Sequence, residues 1–182
     1  VGAPKIIQRE GRNIMLALDL SGSMQETDMR LNNRIVTRLM VVKKAAKTFV
    51  RKRNGDKIGL VLFGTNAYLQ TPLTFDQATL LHMIDDSTVG LAGQTTSIGD
   101  AIALSVKTLK DTPKQSRVLI LLTDGSNNSG NIDPLEAAKI AKKYDIKIYT
   151  IGLGAEQVVR QTIMGTQIYN PSEDLDESTL EN

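Results

Sequence analysis

Oxygen-bearing side chains alternate in the segment Asp19-Leu20-Ser21-Gly22-Ser23. Alternate residues of an extended chain project to the same side, so the Asp19 carboxylate and the two serine hydroxyls can converge on one point. One carboxylate and two hydroxyls form a hard donor set of the kind that suits Mg²⁺ or Mn²⁺. The residue types and their spacing therefore predict a divalent-cation site.

Two further segments offer oxygen donors at similar places in the chain. The glycine-rich run 89–100 carries Thr95 and Thr96 before a predicted helix, and Asp124 follows the apolar run 117–123. The glycine-rich run lacks the Gly-Lys-Ser/Thr ending of a P-loop and the glycine spacing of a dinucleotide site. Taken alone, its hydroxyls are as consistent with capping the following helix as with binding an ion.

Apolar runs predict the strands that position these loops. We predict strands over 13–20, 58–63, 117–123 and 146–151, and the apolar runs 14–18 and 117–123 suit a sheet that is covered on both sides. Helical patterns separate them, which favours a doubly wound, mostly parallel α/β sheet. In such folds ligands bind beyond the carboxyl ends of the strands. We therefore expect the three loops to meet at one edge of the sheet.

The remaining elements follow from periodicity and turn residues. The turn 64–66 predicts a hairpin and one antiparallel edge strand, which we expect to end at Pro72. Helical spacing predicts a helix over 34–53. Thr74 and Gln77 resemble a capping box, and they predict a second short helix over 75–84.

Later in the chain, Asp133 and Pro134 fit the N-cap and first position of another helix. Residues 155–163 predict a short helix, and 167–169 an extended piece. The single histidine, His82, falls in a predicted helix and is interpreted as a packing residue.

Composition bounds the function. The chain has 182 residues, a net charge of +2 and no cysteine, which excludes disulfides, zinc–thiolate sites and cysteine nucleophiles. The small net charge implies no bulk attraction to nucleic acid or to a membrane, although the first long helix is basic on its outer face. That face indicates either a solvated surface or a docking surface for an acidic partner or anionic lipid. We expect a surface leader over 1–12 and a single domain over 13–182, soluble as given, with a final helix from about Asp174 that is cut short.

The segment Asp19-Leu20-Ser21-Gly22-Ser23 resembles the D-x-S-x-S signature of the von Willebrand factor A family. In that family it is the first part of a metal-ion-dependent adhesion site (MIDAS). The resemblance implies a Rossmann-like α/β fold and a bound Mg²⁺, with Mn²⁺ or Ca²⁺ as alternatives.

The other two loops resemble the family's second and third metal-binding segments. Alignment on Ile98-Gly99 makes Thr96 the metal ligand, with Thr95 as second choice. The third loop resembles the family's Leu-Leu-Thr-Asp-Gly pattern, whose aspartate usually holds the metal through water. The implied metal-binding set is Asp19, Ser21, Ser23, Thr96 and Asp124.

Residues 121–134 and 149–154 also resemble the bacterial aerotolerance-operon (Bat) proteins of this family. Those proteins carry their A domain between membrane-spanning segments. The resemblance therefore implies a domain of a bacterial inner-membrane-anchored protein, tethered through segments outside this sequence. It does not fix the side of the membrane.

Three functions are consistent with these residues. The favoured one is a non-enzymatic binding module, in which the cation captures an Asp or Glu carboxylate of a partner protein, with no role for nucleic acid. A Mg²⁺-dependent phosphoryl transferase with Asp19 as nucleophile is an alternative, although Ser21 stands where such enzymes place a second acid. A scaffold that binds no metal is the third.

Overall fold

The computed structural model describes residues 11–124, 130–153, 158–162 and 165–169, with side chains for 11–124 and 130–151. The strands within these ranges are β1 (Asn13–Asp19), β2 (Met29–Leu31), β3 (Arg34–Val36), β4 (Lys57–Phe63), β5 (Ala67–Thr74), β6 (Arg117–Thr123), β7 (Lys147–Leu153), β8 (Val158–Thr162) and β9 (Gly165–Tyr169). The α-helices are α1 (Arg38–Arg51), α2 (Gln77–Asp86), α3 (Ile98–Leu109) and α4 (Pro134–Lys143).

The main sheet has the strand order β5-β4-β1-β6-β7-β8-β9. Strands β4, β1, β6 and β7 are parallel, and β5 pairs antiparallel with β4 at one edge. This confirms the doubly wound, mostly parallel fold. The structure adds β8 and β9, which extend the other edge antiparallel to their neighbours.

Strand β1 is buried along its whole length because helices cover both faces of the sheet. Ile14, Leu16 and Leu18 pack in a core with residues of α1 and α2. Met15 and Ala17 point the other way, into a core with α3 and α4. Alternate side chains of one strand thus join two apolar cores, which explains why the apolar run is continuous.

The first helix begins later than the periodicity predicts. Arg34–Val36 is β3, which pairs with β2 in a small separate hairpin. The helix starts after Thr37, whose side chain accepts a hydrogen bond from the Met40 N–H. Ile35 fitted the helical pattern but is 64% exposed. The prediction of a helix from residue 34 was therefore wrong, because the Thr37 cap fixes the start.

Helix α2 begins at a different cap from the predicted one. Asp76 is the N-cap, and its carboxylate accepts from the N–H of Thr79. Thr74 instead accepts from the Asp76 N–H. Strand β5 also continues through Pro72 to Thr74, because an edge strand tolerates a residue that cannot donate.

Two further predictions on side chains and termini were tested. Asp133 caps α4 and Pro134 takes its first position, as predicted. His82 is exposed and forms an ion pair with Asp86 at 3.0 Å, so its interpretation as a packing residue was wrong.

In the described C-terminal part of the chain, one element differs from the prediction. Residues 158–162 form β8 where a helix was predicted, in keeping with the strand preference of Val158, Val159 and Thr162. The extended piece at 167–169 is confirmed within β9. Residues 1–10 of the predicted leader and the final helix predicted from Asp174 lie outside the described residues.

Candidate metal centre

Asp19 is the last residue of β1 and its side chain is fully buried, 0% exposed. Its Oδ1 accepts from the Ser21 N–H at 2.8 Å, and its Oδ2 accepts from the Thr123 hydroxyl at 2.7 Å. Burial raises the pKa of Asp19, although these hydrogen bonds oppose the rise. The negative charge of Asp124 raises that pKa further, so the two carboxylates lie within electrostatic reach of each other.

The two serine hydroxyls lie side by side just beyond this carboxylate. Ser21 Oγ and Ser23 Oγ are 3.3 Å apart. Two oxygens that bind Mg²⁺ at about 2.1 Å and at a right angle stand about 3 Å apart. The pair therefore has nearly the separation that adjacent ligands of an octahedral cation need.

The second loop is fastened to the first by backbone hydrogen bonds. The Gly22 N–H donates to Gln94 O at 2.9 Å, and the Gly90 N–H donates to Leu20 O at 3.0 Å. Gly90 and Gly93 adopt positive φ angles of 87° and 97°, which suits glycine. The loop that carries the threonines is thus held against the end of β1.

Within that loop the two threonines differ in their surroundings. Thr96 is buried, 4% exposed. Thr95 is exposed and its hydroxyl donates to Thr65 Oγ1 at 2.8 Å. Ser97, the N-cap residue of α3, donates its hydroxyl to Gly64 O at 2.6 Å and does not cap the helix. The assignment of Thr96 as the ligand, with Thr95 second, stays a prediction.

Asp124 follows β6 and is held by an arginine. Its side chain is 4% exposed, and Arg38 Nη1 donates to its Oδ2 at 2.9 Å. The same guanidinium forms a forked ion pair with Asp28, with contacts of 2.7 to 3.2 Å. These two carboxylates and their Coulomb attraction raise the pKa of Arg38, so it stays charged. Asp124 is therefore a carboxylate whose charge is already partly balanced.

The structure places Asp19 at the end of β1 with Ser21 and Ser23 in the loop that follows, and Asp124 just beyond the end of the neighbouring β6, within electrostatic reach of Asp19. The loop of Thr96 is bonded to the same strand ends. Among the described side chains no group of three or more His, Cys, Asp or Glu residues could hold a metal. A cation here would thus rely on hydroxyls, as the predicted set does.

Sequence reasoning missed Arg38 and Thr123, which hold the two aspartates. Arg38 falls on the basic outer face of the predicted helix, which was interpreted as either a solvated surface or a docking surface. A signal was available, because an arginine in the first turn of a helix is unfavourable beside the helix dipole and calls for an acidic partner. Thr123 precedes Asp124 at the end of β6, and nothing in its local pattern marks it.

The fold agrees with the comparisons of the chain with known proteins. The sequence model of the von Willebrand factor type A domain matches residues 14–127. The chain belongs to the von Willebrand factor type A family. Its mostly parallel central sheet with an antiparallel edge strand and covering helices matches the fold of that family.

Its relatives include uncharacterised and membrane proteins. The chain is 31% identical over 147 residues to an uncharacterised protein of Borreliella burgdorferi, covering 81% of the chain and 42% of that protein. It is similar to the structure of an uncharacterised membrane-spanning protein from Vibrio fischeri (47% identity, TM-score 0.54, 93% of this chain and 84% of that one). It is also similar to an aerotolerance-related membrane protein from Bacteroides fragilis (26% identity, TM-score 0.69, 94% and 87%).

The A domain spans less than half the length of the curated relatives that it matches. None of the helices in the described ranges is long and apolar enough to cross a bilayer.

Proposed function

We propose that this A domain is a non-enzymatic, divalent-metal-dependent protein-binding module. Asp19, Ser21, Ser23, Thr96 and Asp124 would hold Mg²⁺, or Mn²⁺ or Ca²⁺ in its place. When bound, the cation supplies an electrophilic position that a partner's Asp or Glu carboxylate can occupy in place of a water.

The observation that supports the proposal is the charge balance around the predicted site. Arg38 already pairs with Asp124, and Asp19 is held by Ser21 and Thr123 with both carboxylate oxygens occupied. The remaining donors are neutral hydroxyls. A cation held in this way keeps much of its positive charge, which favours one more anion from outside.

The same geometry disfavours a phosphoryl transferase with Asp19 as nucleophile. A nucleophilic carboxylate needs an oxygen that can reach a substrate. Asp19 is fully buried, and each of its oxygens accepts a hydrogen bond within the fold. It is placed to support neighbouring groups rather than to attack.

We further propose that the domain belongs to a longer, membrane-anchored protein. Two similar structures come from proteins named as membrane-spanning or membrane proteins, and the curated relatives are more than twice as long as the part they share with this chain. The anchor would be supplied by segments outside this sequence.

The direct test is capture of partners from a detergent extract of the source bacterium's membranes, with the immobilised domain in Mg²⁺ or in EDTA. We expect partners that bind in Mg²⁺, elute in EDTA and fail to bind the folded Asp19→Ala variant. A matched variant, Asp76→Ala, removes an acid at the opposite end of the sheet and should bind like the wild type. Partners that stay bound after full chelation would contradict the proposal.

A further inference from the structure

The edge of the sheet opposite the predicted metal site is basic. It is formed by the amino ends of the parallel strands, and Asn13 of β1 is aligned with Lys57 of β4 and with Arg117 of β6. Val118 is aligned with Lys147 of β7. We name the residues Arg12, Lys57, Lys114, Lys142 and Lys147 the basic edge.

Strand spacing sets the dimensions of the basic edge. Neighbouring strands lie about 4.8 Å apart, so the three steps from β4 to β7 place Lys57 and Lys147 about 14 Å apart. Between them, Arg12, Lys114, Lys142 and Lys147 line an open cleft of about 600 Å³. Asp145 is the one acid in that lining. The cations thus form a continuous row across four strands.

Arg117 closes the base of this cleft with a further positive charge. Its buried guanidinium donates to the backbone carbonyls of Lys110, Thr112 and Tyr144, which lie at or just beyond the ends of α3 and α4. These partners carry no formal charge, although the negative ends of the two helix dipoles offset part of the charge of Arg117.

Two acids, Asp56 and Asp145, stand near the exposed lysines of the basic edge, but neither forms a close ion pair with them. In the described ranges none of Lys57, Lys114, Lys142 and Lys147 forms an ion pair. The helix α1, by contrast, has an acidic partner for its basic face, because Lys47 pairs with Asp85 at 2.6 Å. The charge of the basic edge is therefore available to an external anion.

An aromatic ring stands at the end of the same row. Phe75 follows β5 and is 61% exposed, and Lys57 Nζ lies 5.3 Å from the centre of its ring. An exposed aromatic ring beside lysines suits the boundary between lipid head groups and acyl chains, where the ring enters the apolar region and the cations stay with the phosphates.

The opposite edge has the reverse charge. Acids outnumber bases there, and the described acids are Asp19, Glu26, Asp28, Asp85, Asp86, Asp100, Asp124, Asp133 and Glu136, against the bases Arg30, Arg34 and Arg38. The basic edge has fewer acids, namely Asp56, Asp76, Asp111 and Asp145. An anionic surface would attract one end of the domain and repel the other. This polarity selects one orientation.

We propose that the basic edge binds the surface of an anionic phospholipid bilayer, with Phe75 at the interface and the predicted metal site directed away from the membrane. The inference is independent of metal binding.

The test is flotation of the full chain with vesicles of phosphatidylcholine alone and of phosphatidylcholine with 40% phosphatidylglycerol, in EDTA so that no cation bridges protein and lipid. We expect binding only to the anionic vesicles, and loss of that binding at about 0.5 M salt because screening shortens the reach of the charges. Each lysine near an anionic surface contributes about fivefold to partitioning. The triple variant Lys57→Gln, Lys114→Gln, Lys147→Gln should therefore partition about 100-fold less.

A matched control removes the same charge elsewhere. The variant Arg34→Gln, Lys44→Gln, Lys139→Gln changes exposed bases of the metal edge and the helix sides, and it should keep most of the anionic-vesicle binding. The single variant Phe75→Ala should bind anionic vesicles more weakly than the wild type does. Thermal unfolding checks that each variant is folded.

Three results would overturn the proposal. The first is that neutral vesicles bind the protein as well as anionic vesicles do, and the second is that the two triple variants lose equal amounts of vesicle binding. The third is that the protein binds a soluble polyglutamate peptide but not anionic vesicles, which would indicate an acidic protein partner. Because the experiment excludes divalent cations, each of these results leaves the proposed function untouched, and a failure of EDTA-sensitive partner capture leaves the membrane surface untouched.

Discussion

Arg38 Nη1 donates to Asp124 Oδ2 at 2.9 Å, so a guanidinium from the first turn of α1 lies against a predicted metal-binding carboxylate. The same guanidinium pairs with the more exposed Asp28. A cation bound nearby would therefore meet an existing positive charge. Arg38 limits how tightly the metal is held, and it also fixes the position of Asp124.

Replacing this charge should tighten metal binding. Arg38→Gln keeps a polar side chain but removes the repulsion, which corresponds to about 1 kcal/mol when water screens the two charges fully. We expect Mn²⁺ affinity, measured by electron paramagnetic resonance, to rise about fivefold. Arg34→Gln removes an exposed charge from β3 and should change it little. Weaker Mn²⁺ binding in Arg38→Gln would show that positioning of Asp124 outweighs the repulsion.

The two threonines of the second loop provide a sharp comparison. Thr96→Ala removes the predicted ligand and should lower Mg²⁺ affinity at least tenfold, whereas Thr95→Ala removes a hydroxyl that donates to Thr65 and should lower it less than twofold. Isothermal titration with Mg²⁺ measures both. The reverse pattern would assign the ligand role to Thr95.

The buried Asp19 predicts a change in stability without metal. Asp19→Asn keeps an oxygen for the Ser21 N–H and removes a buried charge. In EDTA we expect the unfolding free energy to rise by about 1 kcal/mol, or about 3 °C in Tm. The wild type should gain stability from Mg²⁺ and the variant should not. A variant that is less stable than the wild type in EDTA would contradict this account.

The same carboxylate sets a pH dependence. Since burial raises the folded-state pKa of Asp19, the folded protein binds that proton more tightly than the unfolded chain. The contribution to the unfolding free energy is therefore fully present below the unfolded pKa of about 3.9 and is lost as the pH rises through the folded pKa. The lowered pKa values of Asp28, Asp76 and Asp85 act in the opposite direction.

Chemical denaturation in EDTA at several pH values isolates this contribution. The difference in unfolding free energy between Asp19→Asn and the wild type removes the effect of the other acids, because both proteins share them. We expect that difference to grow as the pH rises from 4. A difference that stays constant would show that Asp19 titrates normally in the fold.

Arg117 should be a large contributor to stability. Its guanidinium satisfies carbonyl groups at the ends of two helices, and truncation would leave these buried acceptors without partners. We expect Arg117→Leu to lower the unfolding free energy by about 3 kcal/mol in urea denaturation. Lys114→Gln lies on the rim of the same cleft and should change it by less than about 0.5 kcal/mol. If Arg117→Leu and Lys114→Gln lowered the unfolding free energy equally, water would be replacing Arg117 as the donor to these carbonyls.

Much of the fold was predictable because a strand that is buried on both faces requires a continuous apolar run in the sequence, as in β1 and β6. The cap of α4 was predictable because Asp133 and Pro134 act locally. The start of α1 was not, since Ile35 satisfies helical spacing although β3 pairs with β2. Pairing between segments is decided by tertiary contacts that no local pattern contains.

The candidate site divides in the same way. Asp19, Ser21 and Ser23 could be found because the chemistry lies within five consecutive residues. Arg38 could not be assigned to Asp124 from spacing, because 86 positions separate them in the chain. The basic edge was likewise hidden, since its lysines come from separate strand and helix ends that only the topology aligns.

The measurement that tests the central claim most directly is anomalous diffraction from crystals grown with Mn²⁺. The account predicts one peak within about 2.4 Å of Ser21 Oγ, Ser23 Oγ and Thr96 Oγ1, with Asp19 and Asp124 at one water's distance or nearer. Full Mn²⁺ occupancy elsewhere, or no peak at saturating Mn²⁺, would contradict the claim that these five residues share a cation.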